Sequence, residues 1–341
     1  MRYLFQLVLF AALLIGCGEQ KRSLPNAVGG EGEVLVVMER RHWEGDAGAA
    51  VREVLERPIA GLPQREPHFK VAYSAPEGFG DLLIAHHNVI HAEIGPQVEQ
   101  KGIVQRRDLH ALGQLFVQIK AGTPGEWEEL FRENGDALVQ IFDRHHRERI
   151  MRRLERTVDA GLVDEVESTH AVRLMIPAGY KIKKSANDFT WLQRDQVKKG
   201  QGLEHHVIEG ILIYHYPYTS DSTFNVQNLV NVRDSVTRIH VEGPAEGSYM
   251  IVQRGFEGID LMPESRAIEI DGRFAYVMRG LFGMHGAKMG GPFISLTTVD
   301  EQRGRIVTVE GFAYAPQFDK RELIKELEAI VLSLRVSGEG S

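Results

Sequence analysis

Charged side chains flank a glycine-rich segment near the carboxyl terminus and could bind an anionic ligand. Residues 280–292 contain five glycines, which allow backbone N–H groups to approach a bound anion closely. The candidate ligand-binding residues are Arg279, His285, Lys288, Gly290 and Gly291. The segment lacks the strand–loop–helix order of a nucleotide-binding loop. A long hairpin connection between two strands explains its composition equally well, so both interpretations stay open.

Fourteen histidines, six of them in three His-His dipeptides, raise the question of a metal site. The dipeptides lie at residues 86–87, 145–146 and 205–206. Adjacent side chains point about 100° apart on a helix and to opposite faces on a strand, so a dipeptide does not chelate one ion. His91 and Glu93 could share a metal with a third, distant ligand. Solvent-facing polar residues are the simpler interpretation, and we expect no metal and no cofactor.

A predicted helix over residues 144–156 carries six arginines against two glutamates. At about 100° per residue, four arginines cluster on one face, opposite an apolar face. These four are Arg149, Arg152, Arg153 and Arg156. A solvated surface is the simpler interpretation, and contact with anionic lipid head groups is the alternative. The apolar residues at 138–142 do not line up with those downstream, so the buried face must rotate between residues 143 and 148.

No pattern in the sequence assigns a catalytic residue. The chain has no Gly-x-Ser-x-Gly or His-Glu-x-x-His sequence, and its many carboxylates include no pair singled out by spacing. A hydrolase that uses carboxylate or histidine chemistry therefore stays the alternative to a non-catalytic protein. Trp43, just before the first predicted helix, could line a binding groove, although a structural role at the helix start explains it more simply.

The composition excludes several classes of protein. The chain has 341 residues, of which 43% are hydrophobic and 26% charged, as in globular rather than disordered or polytopic membrane proteins. This length suggests two domains or one large one. The formal net charge of −7 argues against a nucleic-acid partner. The single cysteine excludes an intramolecular disulfide and any zinc site built on several thiolates.

That cysteine, Cys17, ends an apolar run that has the layout of a secretory signal. One arginine precedes about 12 mostly apolar residues, and the small residue Gly16 stands before the cysteine. The run is shorter than the roughly 20 residues of a membrane-spanning helix. Its Leu-Ile-Gly-Cys ending resembles the lipobox of bacterial lipoproteins, which implies cleavage before Cys17 and acylation of its thiol and new amino terminus. The lipid bilayer is then a partner through acylated Cys17. An ordinary secretory signal with a chance cysteine is the alternative.

Changes in composition divide the chain into five parts. Residues 1–16 are the predicted signal peptide, and residues 17–32 a lipidated, flexible tether. Residues 33–165 are predicted to form a mixed α/β domain and residues 166–336 an α+β domain, followed by a tail at 337–341. Because no obvious flexible linker separates the two domains, we expect them to pack closely.

Hydrophobic periodicity predicts the elements of both halves and an α+β fold. The first half is predicted to have strands near 33–39, 68–74, 88–94, 102–109 and 114–120 and helices at 45–57 and from 123 to about 158. Thr123 and Glu126 are predicted to form a capping box at the start of the second helical stretch, which is predicted to break near Asn134-Gly135. The second half is predicted to have strands at 171–176, 189–194, 208–218, 248–254, 292–300 and 305–314, a hairpin at Asp271-Gly272, and a helix at 224–238. A closing helix, with Asp319 and Glu322 as its predicted cap, completes a largely antiparallel sheet packed by helices.

Several stretches of the chain are similar to one family of bacterial proteins. They are residues 34–37, 43–45, 61–64, 289–293, 309–316, 320–321 and 327–330. On these residues the chain resembles the envelope lipoproteins of Bacteroidetes-type bacteria catalogued as domain of unknown function 4837. The resemblance implies a location in the bacterial envelope, and it implies no particular activity. The second half also resembles the PsbP-type α/β sandwich, which implies a binding rather than a catalytic fold.

We therefore expect a non-catalytic binding or assembly module, held at a membrane by its lipid anchor, with an envelope protein or ligand as its unidentified partner. No acidic run of the kind associated with surface export follows Cys17, which favours the outer membrane facing the periplasm. A deep pocket holding Arg279, His285 and Lys288 with paired carboxylates would favour an enzyme. A shallow apolar groove would favour the binding module.

Overall fold

The computed structural model of the chain describes residues 24–200 and 202–338, which form two packed halves with a sheet in each. The predicted signal peptide, Cys17 and the last three residues of the predicted tail lie outside the described residues. Within the described ranges, no helix is long and apolar enough to cross a membrane. The fold is α+β, as the sequence predicts.

Five strands in the order β2-β1-β3-β5-β4 make the sheet of the first half. They are β1 (Glu33–Val37), β2 (Lys70–Ser74), β3 (Asn88–Ile94), β4 (Gly102–Arg107) and β5 (Leu115–Ala121). All neighbours are parallel except β4, which pairs antiparallel with β5 at one edge. Four consecutive apolar residues of β1 are fully or almost fully buried, as expected where both faces of a parallel sheet are covered.

The three longest helices of the first half cover one face of its sheet. The helices of the first half are α1 (Arg40–Trp43), α2 (Asp46–Leu55), α3 (Asp81–Ile84), α4 (Pro124–Glu133) and α5 (Gly135–Glu155). The predicted capping box is confirmed at the start of α4, where Thr123 Oγ1 accepts from Glu126 N (3.3 Å) and the Glu126 carboxylate accepts from Thr123 N (3.2 Å). The predicted break after α4 is also present, at Asn134.

A long antiparallel sheet dominates the second half, in the order β10-β14-β15-β16-β9-β8-β7, with β13 also paired to β14. Its strands are β7 (Lys181–Ala186), β8 (Phe189–Gly200), β9 (Leu203–Pro217), β10 (Tyr249–Val252), β13 (Glu264–Ile270), β14 (Arg273–His285), β15 (Ala287–Asp300) and β16 (Arg305–Tyr314). Two-residue strands form the separate pairs β6 (Val172–Arg173) with β17 (Arg335–Val336) and β11 (Gly255–Phe256) with β12 (Ile259–Asp260). The strand predicted over 171–176 is thus much shorter, and β7 was not predicted.

Helices pack on both faces of the large sheet. They are α6 (Ala160–His170), α7 (Val226–His240) and α8 (Arg321–Val331). The apolar stripe of α8 packs against β15 and β16, where Gly311 leaves room for Leu327. On the opposite face α7 covers an aromatic core that includes Phe293 and Phe312. The domain boundary predicted at 165/166 falls inside α6, whose Val163 and Val166 belong to the core of the second half.

Helix α5 contributes to both cores, which explains why its apolar face rotates. Leu138 and Phe142 pack in the core of the first half, whereas Ile150 and Leu154 pack in the core of the second. At about 100° per residue, the two pairs point roughly 120° apart around the helix axis. The turn between them, which the sequence left unexplained, carries buried polar residues instead of apolar ones. A single helix therefore joins the halves.

The structure corrects the predicted tether over 17–32, because residues 24–32 are part of the folded body. Their backbone runs along the amino end of the first sheet. Leu112 N donates to Pro25 O (2.7 Å), and Ala27 N donates to Leu112 O (2.9 Å). The carboxylate of Glu31 pairs with Arg149 of α5 at 3.4 Å. A tether can therefore extend no further than residue 23, which composition alone did not indicate.

Candidate functional site

An apolar groove lies on the α7 face of the large sheet, beyond the end of that helix. Its volume is about 460 Å³, within the range of small-molecule sites. Its apolar lining residues include Trp191, Ile208, Met284, Met289 and Phe312, and its polar ones include Lys183, Lys184, Gln193, His240 and Glu242. Large aromatic and methionine side chains with a few polar groups at the margin are typical of a binding site.

Local features of the strands and of α7 shape this groove. Phe312 lies across β9 because its cross-strand neighbour is Gly210, where a Cβ atom would lie 2.1 Å from the Phe312 ring. An irregularity in the β7–β8 register brings Lys184 opposite Trp191. Helix α7 ends at His240, and the groove begins there, so the helix covers only part of the sheet face.

Two buried nitrogens at the groove have no hydrogen-bond partner among the residues that the structure describes. They are Nε1 of Trp191 and Nδ1 of His240. Leaving such a group unpaired costs about 1–3 kcal/mol, so a ligand or water that supplied a partner would be favoured. Lys184 lies 3.6 Å from the Glu242 carboxylate, whereas Lys183 has no ion pair within the described ranges. The groove therefore combines an apolar floor with unused hydrogen-bonding capacity and positive charge.

A second cavity, of about 270 Å³, lies between the two halves and contains linked charges. Nε2 of His68 lies 2.7 Å from Asp143 Oδ2, and Lys325 Nζ donates to Asp143 Oδ1 at 2.6 Å. Burial alone would raise the pKa of Asp143, but these two neighbours hold it well below its usual range. Arg279 and the buried Glu328 form a further ion pair at the cavity. These contacts connect α5 of the first half with α8 of the second.

This cavity lacks the geometry of a serine hydrolase. Ser265 lines it, but the Ser265 hydroxyl donates to Tyr276 Oη at 3.1 Å instead of to His68. A serine nucleophile needs a base within hydrogen-bond reach. Among the described residues, the His68–Asp143 pair therefore has no hydroxyl hydrogen-bonded to it, and the Asp143 carboxylate instead contacts Lys325 across the halves.

The structure corrects the interpretation of residues 280–292 as a ligand-binding loop. The segment belongs to β14 and β15, which join in a tight turn at Gly286 (φ +77°). His285 and Lys288 are exposed at this turn. Arg279 lies six residues earlier, about 20 Å along the strand, and pairs with Glu328. The three charges do not converge, so they form no common site.

The two candidate glycines of this hairpin are required by packing. A Cβ atom on Gly291 would lie 2.0 Å from the carbonyl oxygen of Ala313, and one on Gly290 would lie 2.7 Å from that of Phe282. A backbone oxygen cannot move away as the end of a side chain can. Glycine at these positions therefore lets neighbouring backbone approach within the sheet. The segment is strand with a tight turn, not the long hairpin connection that the sequence offered as the alternative.

Trp43 and the arginines of α5 have specific places in the first half. The Trp43 ring stacks on Tyr73 at 4.8 Å, with the Arg52 guanidinium 4.6 Å from its centre, so it packs against α2 and lines neither cavity. Arg149 and Arg153 pair with Glu31. The remaining two of the cluster, Arg152 and Arg156, are exposed, and head-group contact stays a prediction for them.

Two of the His-His dipeptides meet at the amino end of the first sheet, which the sequence did not predict. Asn88 joins them, because its carbonyl oxygen lies 3.0 Å from Nδ1 of His86 and its Oδ1 lies 2.8 Å from Nδ1 of His145. Nε2 of His146 lies 3.0 Å from Glu31. One dipeptide lies just before β3 and the other on α5, and no local sequence pattern connects segments so far apart in the chain.

Glu31, His146 and Glu322 bring three potential metal ligands within 4.8 Å of one another. Arg149 and Arg153 also contact Glu31, and Arg321 donates to Glu322 at 2.7 Å. The His146 bond and the nearby cations hold the pKa of Glu31 at about 2, although burial opposes them. Because these arginines already neutralise the carboxylates, the cluster is better suited to joining the halves than to binding a cation.

We expect the protein to lose stability as pH falls from about 6.5 to about 4. Burial, and then the charge of Arg149, lowers the pKa of both His87 and His145 to about 4. In this window the unfolded chain binds protons that the folded chain does not, so stability is complete above about pH 6.5 and falls progressively below it. Urea denaturation at pH 7, 5.5 and 4.5 measures this slope. His145→Gln should reduce the dependence of stability on pH. An unchanged dependence would contradict its assignment to His87 and His145.

Two family models match the chain, and their matches meet near the end of α5. The one described as Domain of unknown function (DUF4837) covers residues 160–333, about half of the chain. The one described as Domain of unknown function (DUF8532) covers residues 27–155. No curated protein matches the chain in sequence.

Solved structures give distant similarities that carry no functional argument. A point mutant of the protein Mog1 has a TM-score of 0.30 at 11% identity, over 50% of this chain and 92% of its own. The Saccharomyces cerevisiae Ran-binding protein Mog1p has a TM-score of 0.28 at 12% identity, over 49% and 90%. A protein from Bacteroides thetaiotaomicron has a TM-score of 0.20 at 10% identity, over 50% and 47%.

Proposed function

The chain belongs to the DUF4837 family, and from this premise we propose that it is an envelope lipoprotein, anchored through acylated Cys17, that binds a ligand without catalysis. The observation that carries the binding function is the apolar groove of the second half. Its ligand has an extended apolar body and an acidic end, as a fatty acid has. The outer membrane facing the periplasm is the proposed location.

The chemistry of the groove supports this class of ligand. Apolar area removed from water stabilises a complex by about 25 cal/mol per Å², and the aromatic and methionine side chains of the groove supply that area. Lys183 and Lys184 place positive charge at its margin, and the unpaired Trp191 N–H can donate to an oxygen. None of the lining side chains forms a nucleophile–base pair within the described residues. These properties favour binding over turnover.

A brominated 16-carbon fatty acid should quench the fluorescence of Trp191, because bromine quenches indoles on contact. The other two tryptophans, Trp43 and Trp127, lie in the first half, so the quenched fraction should disappear in Trp191→Phe. Lys183→Gln should weaken binding about two- to five-fold, the range of an exposed ion pair. Lys199→Gln, which removes an exposed lysine further along β8, is the matched control.

Two results would overturn the groove assignment. The first is quenching that persists in Trp191→Phe, since the fatty acid would then bind elsewhere. The second is a complete lack of quenching in the wild type at saturating fatty acid. An uncharged brominated alcohol of the same length should bind more weakly than the acid. Equal binding would contradict the role of the lysines.

The proposed anchor depends on the Cys17 thiol. Cys17→Ser removes the acylated nucleophile, so we expect this variant to leave the membrane fraction completely and to lose labelling by a fatty-acid probe. Gly16→Ala is the control, since it keeps a small residue before the cysteine. Unchanged membrane fractionation of Cys17→Ser would exclude the lipid anchor.

The alternative, a hydrolase, would be tested at the His68–Asp143 pair in the cavity between the halves. Turnover of an added envelope substrate that His68→Asn abolished, with folding retained, would replace the binding proposal. The paired hydroxyl of Ser265 argues against this outcome.

A further inference from the structure

The folded body begins close to the proposed lipid anchor. Leu24 is the first described residue, and Pro25 and Ala27 are already hydrogen-bonded to the loop that precedes β5. From Cys17 to Leu24 there are seven residue steps, which span at most about 25 Å whatever their conformation. An acyl anchor on Cys17 therefore keeps this end of the first half within about 25 Å of the bilayer.

A polar cleft lies where the chain joins this end of the body. Its volume is about 290 Å³, and its lining residues are Asn26, Arg107, Asp108, Leu112, Gly113, Gln114, His145 and Arg152. The Asp108 carboxylate accepts from Gly113 N at 2.6 Å, so it is occupied within its own loop. Arg107 forms two hydrogen bonds with Glu148 (2.7 and 3.2 Å). Arg152 is exposed and has no ion pair among the described residues.

Arginines outnumber carboxylates among the residues that line this cleft, with Arg107 and Arg152 against Asp108. The pKa of His145, which also lines the cleft, is lowered by burial and then by Arg149, Arg107 and Arg152, whereas Glu148 raises it. One turn further along α5, Arg156 is exposed as well. The cleft therefore presents more arginines than carboxylates to any group that enters it.

Apolar side chains are exposed beside the same cleft. Val28 is 44% exposed and Leu112 is 48% exposed, and the backbone hydrogen bonds of residues 25–28 hold both near the point where the chain leaves for Cys17. Exposed apolar residues next to arginines suit the boundary between head groups and acyl chains of a bilayer.

We propose that this face of the first half binds the anionic leaflet in which Cys17 is anchored, with a lipid head-group phosphate in the cleft beside Arg152. Val28 and Leu112 contact the interfacial region, and Arg156 adds long-range attraction. This proposal rests on the proposed acylation of Cys17. It also fixes the orientation of the molecule, since this face of the first half must then lie on the bilayer.

Lipid-borne quenching tests this orientation with the acylated full-length protein. Because Cys17 is acylated, a cysteine introduced elsewhere is the single free thiol and can carry one fluorophore. Leu112→Cys reports on the proposed face. Phe274→Cys is the control, because Phe274 is also exposed but lies beside the turn at Asp271, whose carboxylate is 3.4 Å from Arg335 beyond the end of α8.

In vesicles of phosphatidylcholine and phosphatidylglycerol that contain a head-group quencher, we expect at least three-fold more quenching at Leu112→Cys than at Phe274→Cys. The difference should shrink in pure phosphatidylcholine and in Arg152→Gln/Arg156→Gln. Arg40→Gln/Arg41→Gln removes two exposed arginines from α1, which follows the carboxyl end of β1, whereas the cleft lies before the amino end of β5. This control should leave the difference unchanged.

The outcomes separate this proposal from the anchor itself. Protein that binds the vesicles but shows equal quenching at both positions would overturn the orientation while the anchor stands. A difference that is insensitive to phosphatidylglycerol and to the α5 arginines would overturn the phosphate contact. Protein that carries no acyl chain and stays in solution would instead overturn the anchor.

Discussion

Glu310→Ala should lower the free energy of unfolding by about 3–5 kcal/mol, because it leaves a buried guanidinium without its partner. Arg233 of α7 donates from Nε and Nη2 to the two Glu310 oxygens at 2.7 and 2.6 Å, and both side chains are fully buried. Burial raises the pKa of Glu310 despite this contact. The Arg233 guanidinium also lies 4.3 Å from the centre of the Phe293 ring, which belongs to the core beneath α7.

Urea denaturation of three variants tests this expectation. The double variant Arg233→Met/Glu310→Leu removes both charges together and should be much less destabilised than Glu310→Ala, since neither charge then has to be desolvated. Arg132→Ala breaks an exposed pair with Glu53 and should leave stability nearly unchanged. A loss below about 1 kcal/mol in Glu310→Ala would show that the Arg233 charge finds another partner.

The same pair has a consequence for the groove. It fixes α7 over β16, and α7 ends at His240, which lines the groove. Release of the helix should therefore weaken fatty-acid binding in Glu310→Ala even under conditions where the protein stays folded. Arg132→Ala, in the other half, should leave binding unchanged.

Elements that depend on local sequence could be predicted, and the capping box and the hairpin show why. Both hydrogen bonds of the capping box form between Thr123 and Glu126, within four residues of sequence. Asp271 and Gly272 both adopt positive φ angles (53° and 72°), as their two-residue hairpin between β13 and β14 requires. Arg233 also gave a signal, since it stands at helical spacing among apolar residues of α7. Its partner Glu310 lies 77 residues away and gave none.

The features that were predicted wrongly or missed from the sequence depend on contacts between distant parts of the chain. Residues 280–292 read as a loop because glycine is common in loops, yet their glycines admit the backbone of adjacent strands. Residues 24–32 were interpreted as a tether because three of them are glycines, yet Glu31 pairs with α5 more than 110 residues later. The groove has no local signature either, because its lining residues come from separate strands and the end of α7.

The predicted cap of α8 is also wrong, because the actual cap comes from a distant part of the chain. This cap leads to the second large expected effect on stability. Neither Asp319 nor Glu322 caps this helix. The buried carboxylate of Glu66, from the first half, accepts from the backbone N–H groups of Lys320 (2.8 Å) and Arg321 (2.7 Å). A negative charge also interacts favourably with the amino end of a helix. One side chain of the first half thus completes a helix of the second.

Glu66→Ala should lower the free energy of unfolding by roughly 2–6 kcal/mol, because it leaves two buried N–H groups without an acceptor at about 1–3 kcal/mol each. It should also uncouple the halves. We expect the fluorescence of Trp127 in the first half and Trp191 in the second to follow one urea transition in the wild type and two in this variant. Single-tryptophan proteins that keep one or the other residue separate the two signals.

Glu126→Ala is the control for this prediction. It also removes a carboxylate from a helix start, but its bonds stay within the first half, so it should cost about 0.5–2 kcal/mol without separating the transitions. If Glu66→Ala behaved in the same way, the helix cap would stabilise α8 alone. Coupling would then depend on the ion pairs between α5 and α8, and Lys325→Met, which removes the charge that reaches Asp143 across the halves, should produce the two transitions instead.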